Sequence, residues 1–273
     1  MRLSTLIAAT ALAVGSIGFA SATPVNLVQN GGFSQTNNGT SVPTQFGTGS
    51  GGANGVTFTA QQFITDWTGN NGYEIWYNNQ SDAVNTDAYS IWGQGSGRDT
   101  RKEKLWGPIP APNGTLTFVG LDGDQAAGVQ SSIKQQLTGL TVGATYTVSF
   151  DWGAAQLQSK TGATKSSLLV SVGNGFHYDT GFLDNPSGAF TGWNTSSFSF
   201  QADSTSDWLT FLAVGTPSGY PPVSLLTNVS VTHAVPEPPE LAMFGIGLLG
   251  LGLLTVFARR RALRRDDADG DLA

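Results

Sequence analysis

Residues 128–156 read GVQSSIKQQLTGLTVGATYTVSFDWGAAQ, and their spacing decides the fold class. From Thr145 the side chains alternate. Tyr146, Val148, Phe150 and Trp152 are apolar, while Thr145, Thr147, Ser149 and Asp151 are polar. A period of two puts one set on each face of a strand, the greasy set toward a core and the polar set toward water. A second strand precedes it, with the turn at Thr141-Val142-Gly143.

The same grammar runs outward in both directions. TLTFVGLDGD (115–124), SSLLVSVG (166–173), WNTSSFSFQA (193–202) and LLTNVSVTH (225–233) read as strands bounded by turn residues. WLTFLAVG (208–215) is apolar in both parities, which predicts a central strand buried on both faces, with Trp208 and Trp152 in the core. NLVQNGGFSQ (26–35) gives a short apolar strand and an Asn-Gly turn, and VTFTAQQFITDW (56–67) a further strand. Residues 36–55 and 93–113 read as loops, the second carrying the charged stretch RDTRKEK. Outside the C-terminal tail there is no long amphipathic helix, and no fixed-period repeat occurs. Glycine makes up 36 of 273 residues, nearly double the usual ~7%, which suits turns between short strands. These features predict an all-β protein, an antiparallel jelly-roll-like β-sandwich.

The two ends read differently. Arg2, an apolar run and Ala20-Ser21-Ala22 have the form of a secretory signal peptide, so residues 1–22 are expected to be cut by signal peptidase to leave Thr23. At the other end Leu241–Ala258 is 18 residues without a charge, long enough at ~1.5 Å per residue to cross most of a bilayer core. Arg259, Arg260, Arg261, Arg264 and Arg265 follow and are expected on the cytoplasmic side of the inner membrane. Just before the apolar run, Pro236-Glu237-Pro238 is an extended, helix-averse stretch, presented as a protease needs its substrate. The expected organisation is a leader (1–22), a β-sandwich ectodomain (23–234), a tail signal (235–261, helix 241–258) and an acidic end (262–273).

Motif, helix and arginines in that order resemble the PEP-CTERM sorting signal of exported bacterial proteins. The resemblance covers roughly Val235 to Arg261. It implies an exosortase as partner, which recognises Pro236-Glu237-Pro238 and removes the tail, and a mature protein at the cell surface or in the exopolysaccharide matrix. The acidic DDADGDLA (266–273) departs from the family pattern.

Composition and motifs exclude several chemistries. The chain has no cysteine, so disulfides and a Cys nucleophile are ruled out, and His177 and His233 make a poor zinc set. The expected ectodomain has 7 Lys+Arg against 13 Asp+Glu, a balance of −6 that disfavours nucleic acid. GQGSG (93–97) lacks the lysine and strand-to-helix setting of a phosphate loop. For paired-carboxylate chemistry the candidates are Glu74, Glu103, Asp66, Asp122, Asp124 and Asp151, and no spacing pairs any two of them. The chain is therefore read as not an enzyme.

NGGF near the start, then LDGD, then LTGLTVGATYTVSFDWGAAQ, then FLAVGTPSGYPPVSLLTNVSVT resemble the galactose-binding-like jelly-roll ectodomains that commonly precede PEP-CTERM tails. The resemblance implies the β-sandwich and, by analogy with carbohydrate-binding jelly rolls, a sugar ligand. Such folds often hold a structural Ca²⁺ between the N-terminal segment and the last strand. Here Ser34 stands at one carboxylate position and Thr227-Asn228 at the other pair, so the carboxylates of both places are lost. Asp122, Asp124 and Asn228 remain as calcium candidates, Asp122-Gly123-Asp124 reading first as a tight turn. Aromatic faces stack on sugar rings, and Trp76, Tyr77, Trp92 and Trp106 lie in the irregular half of the chain, so they are the expected ligand surface. Arg98, Arg101, Lys102 and Lys104 read as a solvated loop. The functional expectation is a non-catalytic carbohydrate-binding or adhesive module. The alternatives are a secreted polysaccharide hydrolase or lyase, and a structural matrix protein without a specific ligand, in which the aromatics of residues 73–106 would be buried.

Overall fold

The alternation at 145–156 becomes a strand of twelve residues, and its apolar set, Tyr146, Val148, Phe150 and Trp152, is buried. The computed structural model describes residues 25–37, 44–46, 63–70, 72–84, 104–112, 114–126, 129–220 and 222–233. The leader (1–22), the sorting segment with Pro236, Glu237 and Pro238, the arginine flank and Trp92 lie outside the described residues. Among those described, no helix is long and apolar enough to cross a membrane.

In chain order the elements are β1 (Thr44–Phe46), β2 (Thr68–Gly69), β3 (Glu74–Tyr77), α1 (Gln80–Val84), β4 (Phe118–Asp122), β5 (Ser132–Thr138) and β6 (Thr145–Gln156). They continue with β7 (Thr164–Val172), β8 (Phe176–Asp179), β9 (Leu183–Asn185), β10 (Asn194–Gln201), β11 (Ser206–Thr216) and β12 (Pro222–His233). Two antiparallel sheets result. The first runs β1-β3-β4-β12-β6-β10, and the second runs β2-β5-β11-β7-β8 with β9 also paired to β7. Consecutive strands often pass from one sheet to the other: β5 and β7 belong to the second sheet and β6 lies in the first. The fold is an all-β sandwich, as the turn spacing predicts.

The main core fills the space between the sheets. Phe150 of β6 meets Phe211 of β11 edge to face at 5.0 Å, and Phe211 meets Trp67 at 6.3 Å. At about 25 cal/mol per Å² of apolar surface, this inter-sheet layer is the main source of stability in a chain without disulfides. The N-terminal segment closes one side. Asn26 bridges to Thr232, and the Leu27 N–H donates to the Val231 carbonyl. Gly31 is required there, since a Cβ on it would lie 2.0 Å from the Val229 carbonyl oxygen.

A second apolar cluster lies on the outer face of the first sheet. It contains Ile75 and Tyr77 of β3, Phe118 of β4, Val223 and Leu225 of β12, and Leu105, Ile109 and Leu157 from segments laid over them. So β3, β4 and the first half of β12 are buried on both faces. This explains why β3 escaped the sequence reading. EIWY has no alternation because neither of its faces meets water.

Two sequence expectations are overturned by burial. Trp208 is 42% exposed on the outer face of β11, not in the core. The strand it opens alternates between buried Leu209, Phe211 and Ala213 and half-buried Thr210, Leu212 and Val214. Lys104, read as solvated, is fully buried, and its ammonium donates to the Asp82 carbonyl.

Candidate functional site

The expected aromatic surface does not form as a unit. Trp76 is buried in the main core, its indole N–H donating to the Phe33 carbonyl at 2.7 Å and its ring edge-on to Phe63. Tyr77 is fully buried on the opposite side of the sheet, stacked on Phe118 with centroids 4.9 Å apart. Its ring lies over Gly120, where a Cβ would come within 3.1 Å of it. Neither ring can present a face to a sugar, so both leave the candidate set. For Trp76 the physical reason is the inter-sheet core, and for Tyr77 it is a covering layer. Segment 104–112, with Phe190 and Trp193, roofs the sheet, and Trp193 meets Phe118 edge-on at 5.6 Å while donating its N–H to the Pro110 carbonyl. Trp106 is half-buried and donates its indole N–H to the Lys160 carbonyl at 3.0 Å. Trp106 alone of the described candidates keeps part of its surface open.

The calcium candidates are likewise separated. In the register, Asp122 faces Val223 of β12, five residues before Asn228, which places them about 17 Å apart at the usual strand rise. Asp122 accepts the Asp124 N–H at 2.8 Å, and Asp124 accepts the N–H groups of Ala126 at 3.0 Å and Gly219 at 2.6 Å. The tight turn expected at Asp122-Gly123-Asp124 does not form: Asp122 ends β4, Gly123 exchanges backbone bonds with Pro222 and Gly215, Asp124 bridges to Gly215, and the two carboxylates fasten backbone. Asn228 sits at φ 52 in a bulge of β12, a conformation asparagine tolerates. Its amide donates to Asp151 at 2.8 Å and its side-chain oxygen accepts from the Thr115 hydroxyl. Among the described residues no group of three or more His, Asp or Glu side chains is placed to hold a metal ion.

The buried carboxylates have distinct electrostatics. Burial pushes Glu74 well above the usual carboxylate range, against the stabilising N–H groups of Asn70 and Ser132. One Glu74 oxygen is buried without a hydrogen-bond partner among the described residues. Burial, helped by the charge of Asp124, raises Asp122 to about 7. For Asp124 burial acts upward too, but the Gly219 and Ala126 N–H groups, the Ser218 hydroxyl and the Lys160 charge hold it below its ordinary value. Asp151 is committed to Thr195 and Asn228.

What the fold does assemble is a pocket at one end of the sandwich. It has a volume of about 480 Å³, within the range of small-molecule sites. Three stretches far apart in sequence form it: Thr164 and Lys165 at the start of β7, Asp184, Asn185 and Pro186 at the end of β9, and Thr216 and Pro217 where β11 ends. Lys165 and Asp184 form an ion pair at 2.7 Å, with side chains 54% and 78% exposed, so it orients the rim and adds little stability. The Thr164 hydroxyl and the Asn185 side-chain oxygen lie buried in the wall with no hydrogen-bond partner among the described residues. Tyr220, 47% exposed, follows the pocket wall at Pro217, and a Cβ on Gly162 would sit 3.4 Å from its ring. The loop bearing Tyr220 is held at one residue from two sides: Asp124 accepts the Gly219 N–H and Lys160 donates to the Gly219 carbonyl at 3.1 Å. An exposed aromatic ring beside polar side chains can bind a polyol through one apolar face and several hydroxyls. Nothing in the sequence pointed here, because Thr, Lys, Asp, Asn and Pro at turns are ordinary turn chemistry until they converge.

No family model matches the chain, and no curated protein matches it. Solved structures similar to it include an arabinose-bound α-L-arabinofuranosidase, 13% identical, covering 76% of this chain and 26% of that one with a TM-score of 0.42. Another is the CBM22-1 xylan-binding domain of a Paenibacillus barcinonensis protein, 11% identical, covering 80% of this chain and 100% of that one with a TM-score of 0.33. A third, described as CBM4, is 14% identical, covering 75% and 98% with a TM-score of 0.29. This chain thus spans about a quarter of the arabinofuranosidase. Likeness at this level carries neither a family nor a ligand across.

Proposed function

We propose that this chain is an exported, non-catalytic carbohydrate-binding module that acts at the cell surface or in the exopolysaccharide matrix. Its delivery follows the signal peptide and the PEP-CTERM-like tail, with signal peptidase and an exosortase as processing partners. The observation that carries the binding reading is the pocket at the end of the sandwich, with the Lys165–Asp184 pair on its rim and Tyr220 beside it. The buried carboxylates support a non-catalytic reading, because Asp122, Asp124 and Asp151 are each committed to hold neighbouring groups.

Burial of Trp76 and Tyr77 favours a second reading, a structural matrix protein without a specific ligand. Retention of the purified protein on the producing cell's own exopolysaccharide, with and without Ca²⁺, separates the two. Saturable binding that Tyr220→Ala or Asp184→Ala abolishes in a folded protein supports the module. No retention under either condition supports the structural reading. For the route, deletion of Pro236–Pro238 is expected to leave full-length protein in the inner membrane. Normal processing of the deletion variant would sink that part.

A further inference from the structure

The two faces of the second sheet have opposite fates. Its inner face is core, and the side chains of its outer face are exposed or half-buried over most of its width. The register lines these outer side chains into rows across the strands. Thr68 of β2 faces Lys134 of β5, which faces Thr210 of β11, which faces Ser171 of β7, which faces His177 of β8. Paired residues share a face, so these five polar groups form one continuous line. With strands about 4.8 Å apart it is roughly 19 Å long.

The flanks of the line are apolar. On one side Trp208 lies beside Gln136, and on the other Leu212 faces Leu169. Trp208 and Leu169 are both exposed. Lys134 stands with its ammonium 4.5 Å from the centre of the Trp208 ring. It makes no ion pair with any described residue. The nearby acids are turned elsewhere or stand at the far edge. Asp207 meets the Ser204 hydroxyl, and Asp179, in the next row on β8, accepts the Gly181 N–H. In a chain of net charge −6, an exposed, unpaired cation laid on an exposed tryptophan is a local reversal of the general charge.

We propose that this outer face is a track for an extended, carboxylate-bearing polysaccharide lying across the strands. A carboxylate of the chain meets Lys134, ring hydroxyls meet Thr210 and Ser171, and the apolar edges of the sugars rest against Trp208 and Leu212. Charge complementarity at Lys134 selects the acidic polymer. The track uses no residue of the pocket, so it stands or falls separately from the pocket reading.

The test is retention of the purified protein in native gels containing polygalacturonate, with dextran as the neutral polymer. Retardation by polygalacturonate and not by dextran is expected, weakening as salt rises. Lys134→Ala and Trp208→Ala are each expected to weaken it by about ten-fold, Lys134→Arg to preserve it, and Tyr220→Ala to leave it unchanged. All three substituted side chains are exposed, and thermal melts check that each variant folds. The proposal is overturned if the protein is not retarded by polygalacturonate. It is equally overturned if Lys134→Ala and Trp208→Ala bind like the parent, or if Tyr220→Ala abolishes binding and they do not.

Discussion

The outer faces of the two sheets began from similar strands and ended differently. On the first sheet, Tyr77, Phe118, Val223 and Leu225 are roofed by residues 104–112 with Phe190 and Trp193, and the face is a second core. On the second sheet, Trp208, Leu212 and Leu169 carry no such roof among the described residues and stand among hydroxyls and a lysine. An apolar residue on a strand face therefore says little about burial until the covering layer is known. The roofed face stabilises the fold, while the open face and the pocket beside it are where a ligand can reach.

The sharpest way to break this contrast is to empty the roofed face. Phe118→Ala removes a fully buried ring that touches both Tyr77 and Trp193, and should cost about 3–5 kcal/mol in urea unfolding. A loss under about 1 kcal/mol would mean that the roof is not packed as described. Next in size is a pH effect from two buried carboxylates of the same sheet. Asp122 and Glu74 both have folded-state values above their unfolded ones, so the native state holds the extra protons. The sign follows: their contribution is fully present below about pH 4 and is lost as pH rises, for Asp122 through about 7. Stability should therefore fall between pH 4.5 and 8, and Asp122→Asn should flatten part of that slope. An unchanged slope in the variant would remove Asp122 from the account.

Smaller effects sharpen the comparison. Gly120→Ala pushes a methyl toward the Tyr77 ring and Val223, each 3.1 Å away, and should cost about 1–3 kcal/mol through overpacking. On the open face, Trp208→Ala should change stability by only about 0.5 kcal/mol while weakening the retention expected on an acidic polymer. If Trp208→Ala proved as costly as Phe118→Ala, the two faces would not differ as argued.

Much of the sandwich was legible because strands half-facing water announce themselves. Tyr146, Val148, Phe150 and Trp152 alternate with polar residues, and all four are buried as their parity predicts. The reading failed where both faces of a strand meet protein. Trp76 and Tyr77 lie in four consecutive buried residues; Trp76 is covered by the inter-sheet core around Phe33 and Phe63, and Tyr77 by groups from residues 105–118 and 190–193. It failed in reverse at Trp208, where apolar residues of both parities suggested a strand buried on both sides. The pocket was invisible for a related reason. Its walls come from residues 163–165, 184–186 and 216–217, joined only by strand pairing such as Lys165 with Asp184 and with Thr216.

Local patterning by itself determined that this chain would make short antiparallel strands around an inter-sheet core, because a period of two acts through nearest neighbours along the chain. It misread Asp122-Gly123-Asp124 as a tight turn, because an aspartate that bonds backbone two residues on looks the same in sequence when the chain stays extended, as it does here against Pro222 and Gly215. Tertiary structure alone decided which sheet face is roofed, which tryptophan meets water and where a pocket opens. Those outcomes depend on contacts between residues tens of positions apart, and accessible surface is a property of the whole packed arrangement rather than of any stretch within it.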